Sequence, residues 1–218
     1  MNSSESVSVP VSVELSAASE LVRARTQLGD FELTVCTDGT YKLDGGAMFG
    51  VVPKTLWQKR APADDQNRIL LGLNTVVVRT GRQTVLIETG IGNKQSAKMR
   101  EIQCNQELLP QSLAAAGIRA EEVDVVINTH LHFDHIESRS AGGAVQHACY
   151  ISDLIPTSAH LDPTWVMGYD LDPVECIAQR KRFYQRAIPE NWLVLFTHDH
   201  ETPMARIGLN EKGRPVVL

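Results

Sequence analysis

The sequence lacks the features that would direct a protein to membranes or nucleic acids. No apolar run reaches membrane-spanning length, and the N-terminus has neither a positive region nor a sustained apolar stretch of a secretion signal. The formal net charge is −5, and no Lys/Arg cluster offsets it. The densest basic run, Arg180-Lys181-Arg182, is typical of a solvated helix face. We therefore expect a cytoplasmic protein that binds neither membrane nor nucleic acid, and its oligomeric state stays open.

The sequence also lacks the motifs of several enzyme classes. Its four cysteines are far apart and form no C-x-x-C pair, which disfavours a cysteine zinc site or a redox motif, so we expect reduced, mostly buried thiols. No G-x-S-x-G motif marks a serine nucleophile. The stretch VLIETGIGNKQ begins like a dinucleotide fingerprint, but Gln95 stands at its third glycine position.

What is present indicates one layered α/β domain. Residues 1–25 are rich in Ser, Val and Glu and are predicted to form a flexible arm or an edge strand. Residues 26–218 are predicted to form a single domain. Strands are expected at 31–39, closed by a turn at Asp38-Gly39, in a hairpin over 68–90, and at 122–130, 148–153 and 191–199. The strand over 122–130 should be buried on both faces. Helices are expected over 110–116 and 173–187, and residues 42–57 should form a glycine-rich loop.

The stretch INTHLHFDHIES, residues 127–138, holds three of the seven histidines. In an extended chain His130 and His132 point the same way, because side chains alternate along a strand. A turn after Phe133 would let Asp134 and His135 point back toward the same volume. Imidazole and carboxylate groups suit zinc, and manganese, iron and cobalt remain open. The run therefore predicts two adjacent metal ions.

Further metal ligands are expected at other strand ends on the same rim. Asp153 follows the predicted strand ACYIS, and His198 follows NWLVLFT. A carboxylate such as Asp153 has two oxygens and can bridge two cations.

These motifs resemble those of metallo-β-lactamase-fold hydrolases. The run His130-x-His132-x-Asp134-His135 matches the central signature of that family, and YISDLIPTSAH and LFTHDH resemble the segments with its bridging aspartate and last histidine. ETGIGNK resembles an early loop in which the family usually carries Asp instead of Glu88. DGGAMFGVVPKTLW resembles a segment of the branch containing quorum-quenching lactonases and phosphotriester-type hydrolases. The resemblance covers about residues 28–202 and implies an αββα sandwich with six metal ligands: His130, His132, Asp134, His135, Asp153 and His198.

The sequence departs from this family between the run and the bridging aspartate. The family carries another histidine there, in a G-H-T-type segment, whereas 17 residues without such a segment separate His135 from Asp153. The fold is therefore expected to be incomplete in its second half, and the first metal site should bind weakly. His147 lies about 20 Å from Asp153 along an extended strand and is not expected to substitute.

The resemblance implies a metal-dependent hydrolase for a small-molecule substrate. A metal-activated water would attack a lactone, ester or phosphotriester, with Asp134 orienting the water or passing its proton to the leaving group. Met48, Phe49, Trp57 and His160 are candidates for the pocket wall. The alternative is a shortened metal-binding scaffold with little or no turnover.

Overall fold

The structure is a computed structural model that describes residues 20–91, 96–129 and 147–218. The first nineteen residues, with the run VSVPVSVEL, lie outside this part of the chain. So do four of the six predicted metal ligands: His130, His132, Asp134 and His135.

The first sheet has five strands in the order β1-β2-β3-β4-β5. They are β1 (Val22–Leu28), β2 (Phe31–Asp44), β3 (Arg68–Arg79), β4 (Thr84–Ile87) and β5 (Val125–Ile127). The first four pair antiparallel, and β5 pairs parallel to β4. The parallel pairing brings the carboxyl ends of β4 and β5 to the same edge of the sheet, where the predicted metal run begins.

The second sheet has four strands in the order β6-β7-β8-β9. They are β6 (Ala148–Tyr150), β7 (Leu193–Leu195), β8 (Met204–Leu209) and β9 (Pro215–Val217). Here β6 and β7 are parallel, and the remaining pairs are antiparallel. The carboxyl ends of β6 and β7 therefore also lie side by side.

The helices connect and cover these strands. Two short helices, α1 (Gly45–Phe49) and α2 (Lys54–Trp57), lie between β2 and β3. Two more, α3 (Ala97–Gln103) and α4 (Leu109–Ala115), lie between β4 and β5, and α5 (Pro173–Ala187) lies between β6 and β7. Among the described residues, no helix combines the length and apolarity that a membrane crossing requires.

The core shows how the layers stack. Val35 and Val76 of the first sheet pack in one buried cluster with Leu193, Leu195 and Met204 of the second. Because side chains alternate along a strand, the neighbouring residues face outward. Val77 and Leu86 pack against Leu113 of α4, and Val194 and Ala205 pack with Tyr184 of α5. The order of layers is helix, sheet, sheet, helix, which confirms the predicted αββα sandwich.

Several predicted elements are confirmed. The hairpin over 68–90 is β3 and β4, and α5 spans the predicted residues 173–187. Asp172 caps α5, since its Oδ1 accepts a hydrogen bond from the Glu175 amide at 2.9 Å. The helix predicted over 110–116 begins one residue earlier, at Leu109.

Three local predictions were wrong. Asp38-Gly39 does not end a strand, because β2 passes through a bulge between Thr37 and Thr40 and continues to Asp44. The expected loop over 42–57 contains two helices, and Asp44 caps the first by accepting from the Ala47 amide at 2.9 Å. β5 is not buried on both faces: among the strands of the described residues it is the last in the first sheet, and Val126 is 51% exposed.

Two side-chain predictions also need correction. Arg180 is fully buried rather than solvated, although its neighbours Lys181 and Arg182 are exposed. All four cysteines are free, as expected, but only Cys36 among them is buried. In both cases the sequence does not show which of several similar side chains the fold buries.

Candidate metal centre

Asp153 and His198 lie together where two parallel strands end. Asp153 lies in the short 3₁₀ turn Ser152–Leu154 that follows β6, and His198 comes three residues after β7. The Nε2 atom of His198 is 3.2 Å from Oδ1 of Asp153. The two strand ends meet because β6 and β7 run parallel, so the structure brings this predicted pair together at one rim.

Hydrogen bonds fix the orientation of the His198 ring. Its Nδ1 lies 3.1 Å from the carbonyl oxygen of Gly72, and Tyr41 packs edge-on against the ring with the centroids 5.7 Å apart. A carbonyl can only accept, so Nδ1 carries the proton and donates. Metal-binding histidines commonly donate their second ring N–H to a carbonyl in this way. Nε2 is therefore the atom that faces Asp153 and could bind a metal ion.

The pair fits a zinc ion in chemistry and in spacing. Two ligand atoms bound tetrahedrally to one zinc, at about 2.0–2.2 Å each, would be about 3.3 Å apart. The observed separation of Nε2 and Oδ1 is 3.2 Å. Among the described residues no group of three His, Cys, Asp or Glu side chains could hold a metal ion. The other four predicted ligands lie outside those residues.

Glu88 connects this pair to the start of the histidine run. Glu88 follows β4 in a left-handed conformation with φ of 66°, and its Oε1 accepts hydrogen bonds from the Thr129 amide, at 2.7 Å, and from the Thr129 hydroxyl. The Thr129 hydroxyl oxygen lies 3.3 Å from that of Ser152, the residue before Asp153. Thr129 directly precedes His130, so the described chain reaches the run beside Asp153.

A buried carboxylate supports the loop that carries Glu88. Asp38 of β2 accepts hydrogen bonds from the amides of Ile91, at 3.1 Å, and Leu109, at 3.0 Å. Gly90 packs so closely on this carboxylate that any side chain there would clash with it. The roles of Asp38 and Glu88 in supporting this loop were not predicted from the sequence. The only available signal was the acidic residue within ETG at a strand end.

A cavity of about 290 Å³ opens over the pair. Glu88, Asp153 and His198 give it a polar, acidic side, and Leu73 and Ile91 give it an apolar side. Burial, and secondarily the Asp153 charge, raise the pKa of the Tyr41 hydroxyl, which therefore stays protonated and can donate a hydrogen bond at neutral pH. The described residues that line the cavity are Tyr41, Leu73, Asn74, Glu88, Gly90, Ile91, Gln103, Asp153, Thr197 and His198.

The four residues predicted to line a pocket lie instead in the core. Phe49 stacks between Trp57 and the His160 ring, with centroid distances of 5.2 Å and 4.3 Å. The His160 Nε2 lies 3.0 Å from the carbonyl oxygen of Met48, and Nδ1 lies 2.7 Å from the Thr157 hydroxyl. Burial lowers the pKa of His160 to about 3. Met48, Phe49, Trp57 and His160 are all buried and do not line the cavity, because their side chains pack against one another.

His147 lies at the far end of β6 from Asp153. Its Nε2 is 3.5 Å from Oε2 of Glu190, and its ring is 5.0 Å from that of Trp192. This position agrees with the expectation that an extended segment separates His147 from the metal centre.

Comparisons with known proteins point to one fold. Residues 69–138 match the model of the Metallo-beta-lactamase superfamily. A probable metal-dependent hydrolase from Staphylococcus aureus is 23% identical with a TM-score of 0.75, and the match covers 88% of this chain and 98% of that one. AidC, a dizinc quorum-quenching lactonase, is 14% identical with a TM-score of 0.68 over 89% of this chain and 96% of its own.

A third structure, the hydrolase AbOPH of the beta-lactamase superfamily, is 15% identical with a TM-score of 0.71 over 89% of this chain and 96% of its own. The coverage of this chain is consistent with the expected shortened second half. The chain has the metallo-β-lactamase fold, and the segment that contains its histidine run matches the model of that superfamily.

Proposed function

We propose that the protein is a metal-dependent hydrolase that cleaves an ester-like bond in a small molecule. One observation carries this proposal: the Nε2 of His198 and the Oδ1 of Asp153 are 3.2 Å apart in a cavity, beside the point where the chain enters the histidine run. Imidazole and carboxylate donors in this arrangement suit zinc, and manganese, iron and cobalt would accept the same ligands.

Six residues would hold two ions. His130, His132 and Asp153 would bind the first, and Asp134, His135 and His198 would bind the second together with the shared Asp153. The hydrogen bond from Nδ1 of His198 to Gly72 leaves Nε2 available for this role. When bound, the metal ions would lower the pKa of water toward about 7 and polarise the bond under attack.

The side chains of the cavity would orient the substrate and move protons. Asp134 would orient the attacking water or pass its proton to the leaving group. The protonated Tyr41 hydroxyl can donate a hydrogen bond to a substrate oxygen, and Leu73 and Ile91 would contact an apolar part of the substrate. No separate side-chain nucleophile is required.

Lactones are the first substrates to test, followed by aryl esters and phosphotriesters. AidC, which shares the fold, is a quorum-quenching lactonase, and AbOPH is a hydrolase. A cavity of about 290 Å³ is near the lower end of small-ligand pockets, which span roughly 300–1,000 Å³.

The test combines metal content with turnover on the same protein. Purified protein supplemented with zinc should carry between one and two ions and hydrolyse at least one member of the substrate panel. Asp153→Ala should abolish turnover and lower metal content, because only this carboxylate can contact both ions. His147→Ala is the matched control, since its ring contacts Trp192 and Glu190. A protein without metal after supplementation would refute the proposal.

The second candidate function is a metal-binding scaffold with little or no turnover. The 17-residue interval between His135 and Asp153, which holds no G-H-T-type histidine, favours it. The same experiment separates the two candidates: about one ion without hydrolysis supports the scaffold, and two ions with hydrolysis support the enzyme.

A further inference from the structure

The turn that carries His198 is held along its whole length by one strand of the opposite sheet. The amide of Gly72 in β3 donates to the His198 carbonyl at 2.8 Å, and the amide of Asn74 donates to the Thr197 carbonyl at 3.0 Å. The Asn74 side chain binds the two remaining carbonyls, those of Phe196 at 2.9 Å and Asp199 at 2.7 Å. β3 thus satisfies all four carbonyls from Phe196 to Asp199.

The orientation of the Asn74 side chain is fixed by these contacts. Both partners are carbonyl oxygens, which only accept, so the NH₂ group must face them and the amide cannot be flipped. Asn74 is 2% exposed, so water cannot replace either bond at low cost. Gly72 lets the turn approach this closely, because a Cβ there would lie 3.1 Å from the Asp199 oxygen.

We propose that Asn74 is a positioning residue for His198. The Asn74 side-chain amide binds backbone carbonyls before and after His198 and so holds the turn on β3. This keeps the His198 Nδ1 on the Gly72 carbonyl and its Nε2 toward Asp153. The consequence for metal binding rests on the proposed function, but the effect on the turn does not. Residues that orient metal ligands typically change metal affinity by about 10- to 100-fold when they are removed.

The alternative is that Asn74 contributes only general stability, as any buried hydrogen-bonding residue does. Tyr184→Phe provides the matched control. The Tyr184 hydroxyl is buried and donates to the Leu161 carbonyl at 2.7 Å, on the face of the second sheet that packs against α5. Its removal also deletes a buried hydrogen bond to a carbonyl, without touching the His198 turn.

The first measurement is backbone hydrogen exchange on full-length, metal-free protein. In the wild type the Gly72 amide, bonded to the His198 carbonyl, and the His198 amide, bonded to the Pro156 carbonyl at 3.0 Å, should be protected. Asn74→Ala should speed exchange at these two amides by about 10- to 100-fold beyond the change at β8 amides, whereas Tyr184→Phe should not. Asn74→Asp, which keeps the volume but sets a carboxylate against carbonyls, should act in the same direction.

The second measurement is the affinity for zinc, together with the absorption spectrum of the cobalt-loaded protein. Asn74→Ala should weaken binding of one ion by about 10- to 100-fold and alter the cobalt spectrum, and Tyr184→Phe should leave both unchanged. Unchanged exchange and affinity in Asn74→Ala would overturn the proposal, as would equal losses in Tyr184→Phe. Failure of both Asn74 variants to fold would also overturn it, by assigning the residue a purely structural role.

The two measurements also test the proposed hydrolase function and the role of Asn74 independently of each other. A wild-type protein that binds no zinc would refute the proposed function, and the exchange data would still decide the role of Asn74.

Discussion

Two single residues outside the predicted ligand set, Glu88 and Asp38, hold the backbone beside the candidate site. Glu88 stands where the resembling family usually has Asp, and its longer side chain reaches both the amide and the hydroxyl of Thr129. Asp38 in turn bonds the Ile91 amide, three residues after Glu88. These acceptors hold the backbone on either side of the loop, which brings Thr129 next to Ser152.

Replacing Glu88 should separate its role as an acceptor from its charge. Glu88→Ala leaves the half-buried Thr129 amide without this partner and should lower the free energy of unfolding by about 0.5–1.5 kcal/mol. Glu88→Gln keeps an acceptor oxygen and should cost clearly less. Urea unfolding of the metal-free proteins measures both. Equal losses in the two variants would show that the charge, rather than the hydrogen bonds, stabilises the loop.

His160 should make stability depend on pH. Burial lowers the pKa of His160 to about 3, whereas an unfolded histidine titrates near 6.5. Between these values the unfolded chain binds the additional proton, so stability is complete above about pH 6.5 and falls as the pH drops toward 3. At pH 5 the loss from this residue should be about 2 kcal/mol.

The matched variant is His160→Phe, measured by urea unfolding from pH 7 to pH 5. It will be less stable at every pH, because Thr157 and the Met48 carbonyl lose their partner. However, its stability should depend less on pH than that of the wild type. A slope equal to the wild-type slope would assign the pH dependence to other groups.

At the scale of elements, α5 anchors the segment that leads away from Asp153. The buried guanidinium of Arg180 donates to the carbonyls of Leu154 at 2.7 Å, His160 at 3.1 Å and Trp165 at 2.8 Å. One side chain on the helix thus satisfies carbonyls along the twelve residues from Leu154 to Trp165. Because buried backbone polar groups must be paired, this contact explains how the buried parts of this segment, such as Ile155 and Leu161, can lie in the interior.

Replacing Arg180 should therefore affect stability much more than replacing Arg182, although both residues lie in α5. Arg180→Met should lower the free energy of unfolding by about 3 kcal/mol or more, because several buried carbonyls lose their donor. Arg182→Met removes an exposed ion pair with Glu175 and should leave stability close to that of the wild type. Chemical denaturation of both variants tests this difference. A small loss in Arg180→Met would mean that water or other donors replace the guanidinium.

At the scale of the whole molecule, the candidate site lies where the two sheets meet. The strand ends of β6 and β7 supply Asp153 and His198, and β3 of the first sheet supplies Gly72 and Asn74, which hold the His198 turn. The packing of Val35 and Val76 against Leu193 and Leu195 fixes the distance between these groups. Metal binding and sheet packing should therefore stabilise each other.

The two expected metal sites should differ in affinity. The site with Asp134, His135 and His198 has the full ligand set that the family resemblance implies, whereas the site with His130 and His132 lacks the usual third histidine. Titration with a chelator should then release metal in two steps. His135→Ala should remove the tight step, and His130→Ala the weak one. A single step that His135→Ala leaves intact would contradict this order.

The sequence predicted much of the architecture because its local signals agreed with the tertiary structure. Two β-rich runs joined at Thr80-Gly81 predict the hairpin β3–β4. Asp172 as the N-cap and Pro173 as the first helical residue predict the start of α5. The predicted strand ends placed Asp153 and His198 at one rim. Their identity as ligands, and the four in the histidine run, remain predictions.

The periodicity of the chain, its caps and the chemistry of single side chains were enough to predict the hairpin β3–β4, the helices α4 and α5, the layered class and the residue types able to bind metal. They did not predict α1, α2, α3, β8 or β9. Only the tertiary structure decided which polar groups face inward. Arg180 was predicted to be solvated, as its neighbours are, but it is buried. His160, Trp57 and Phe49 were predicted to line a pocket, but they stack on one another in the core. Burial and hydrogen-bond partners come from residues distant in the chain, as Asn74 and the turn at 196–199 show. No local pattern encodes such partners, because they are set by how the two sheets pack.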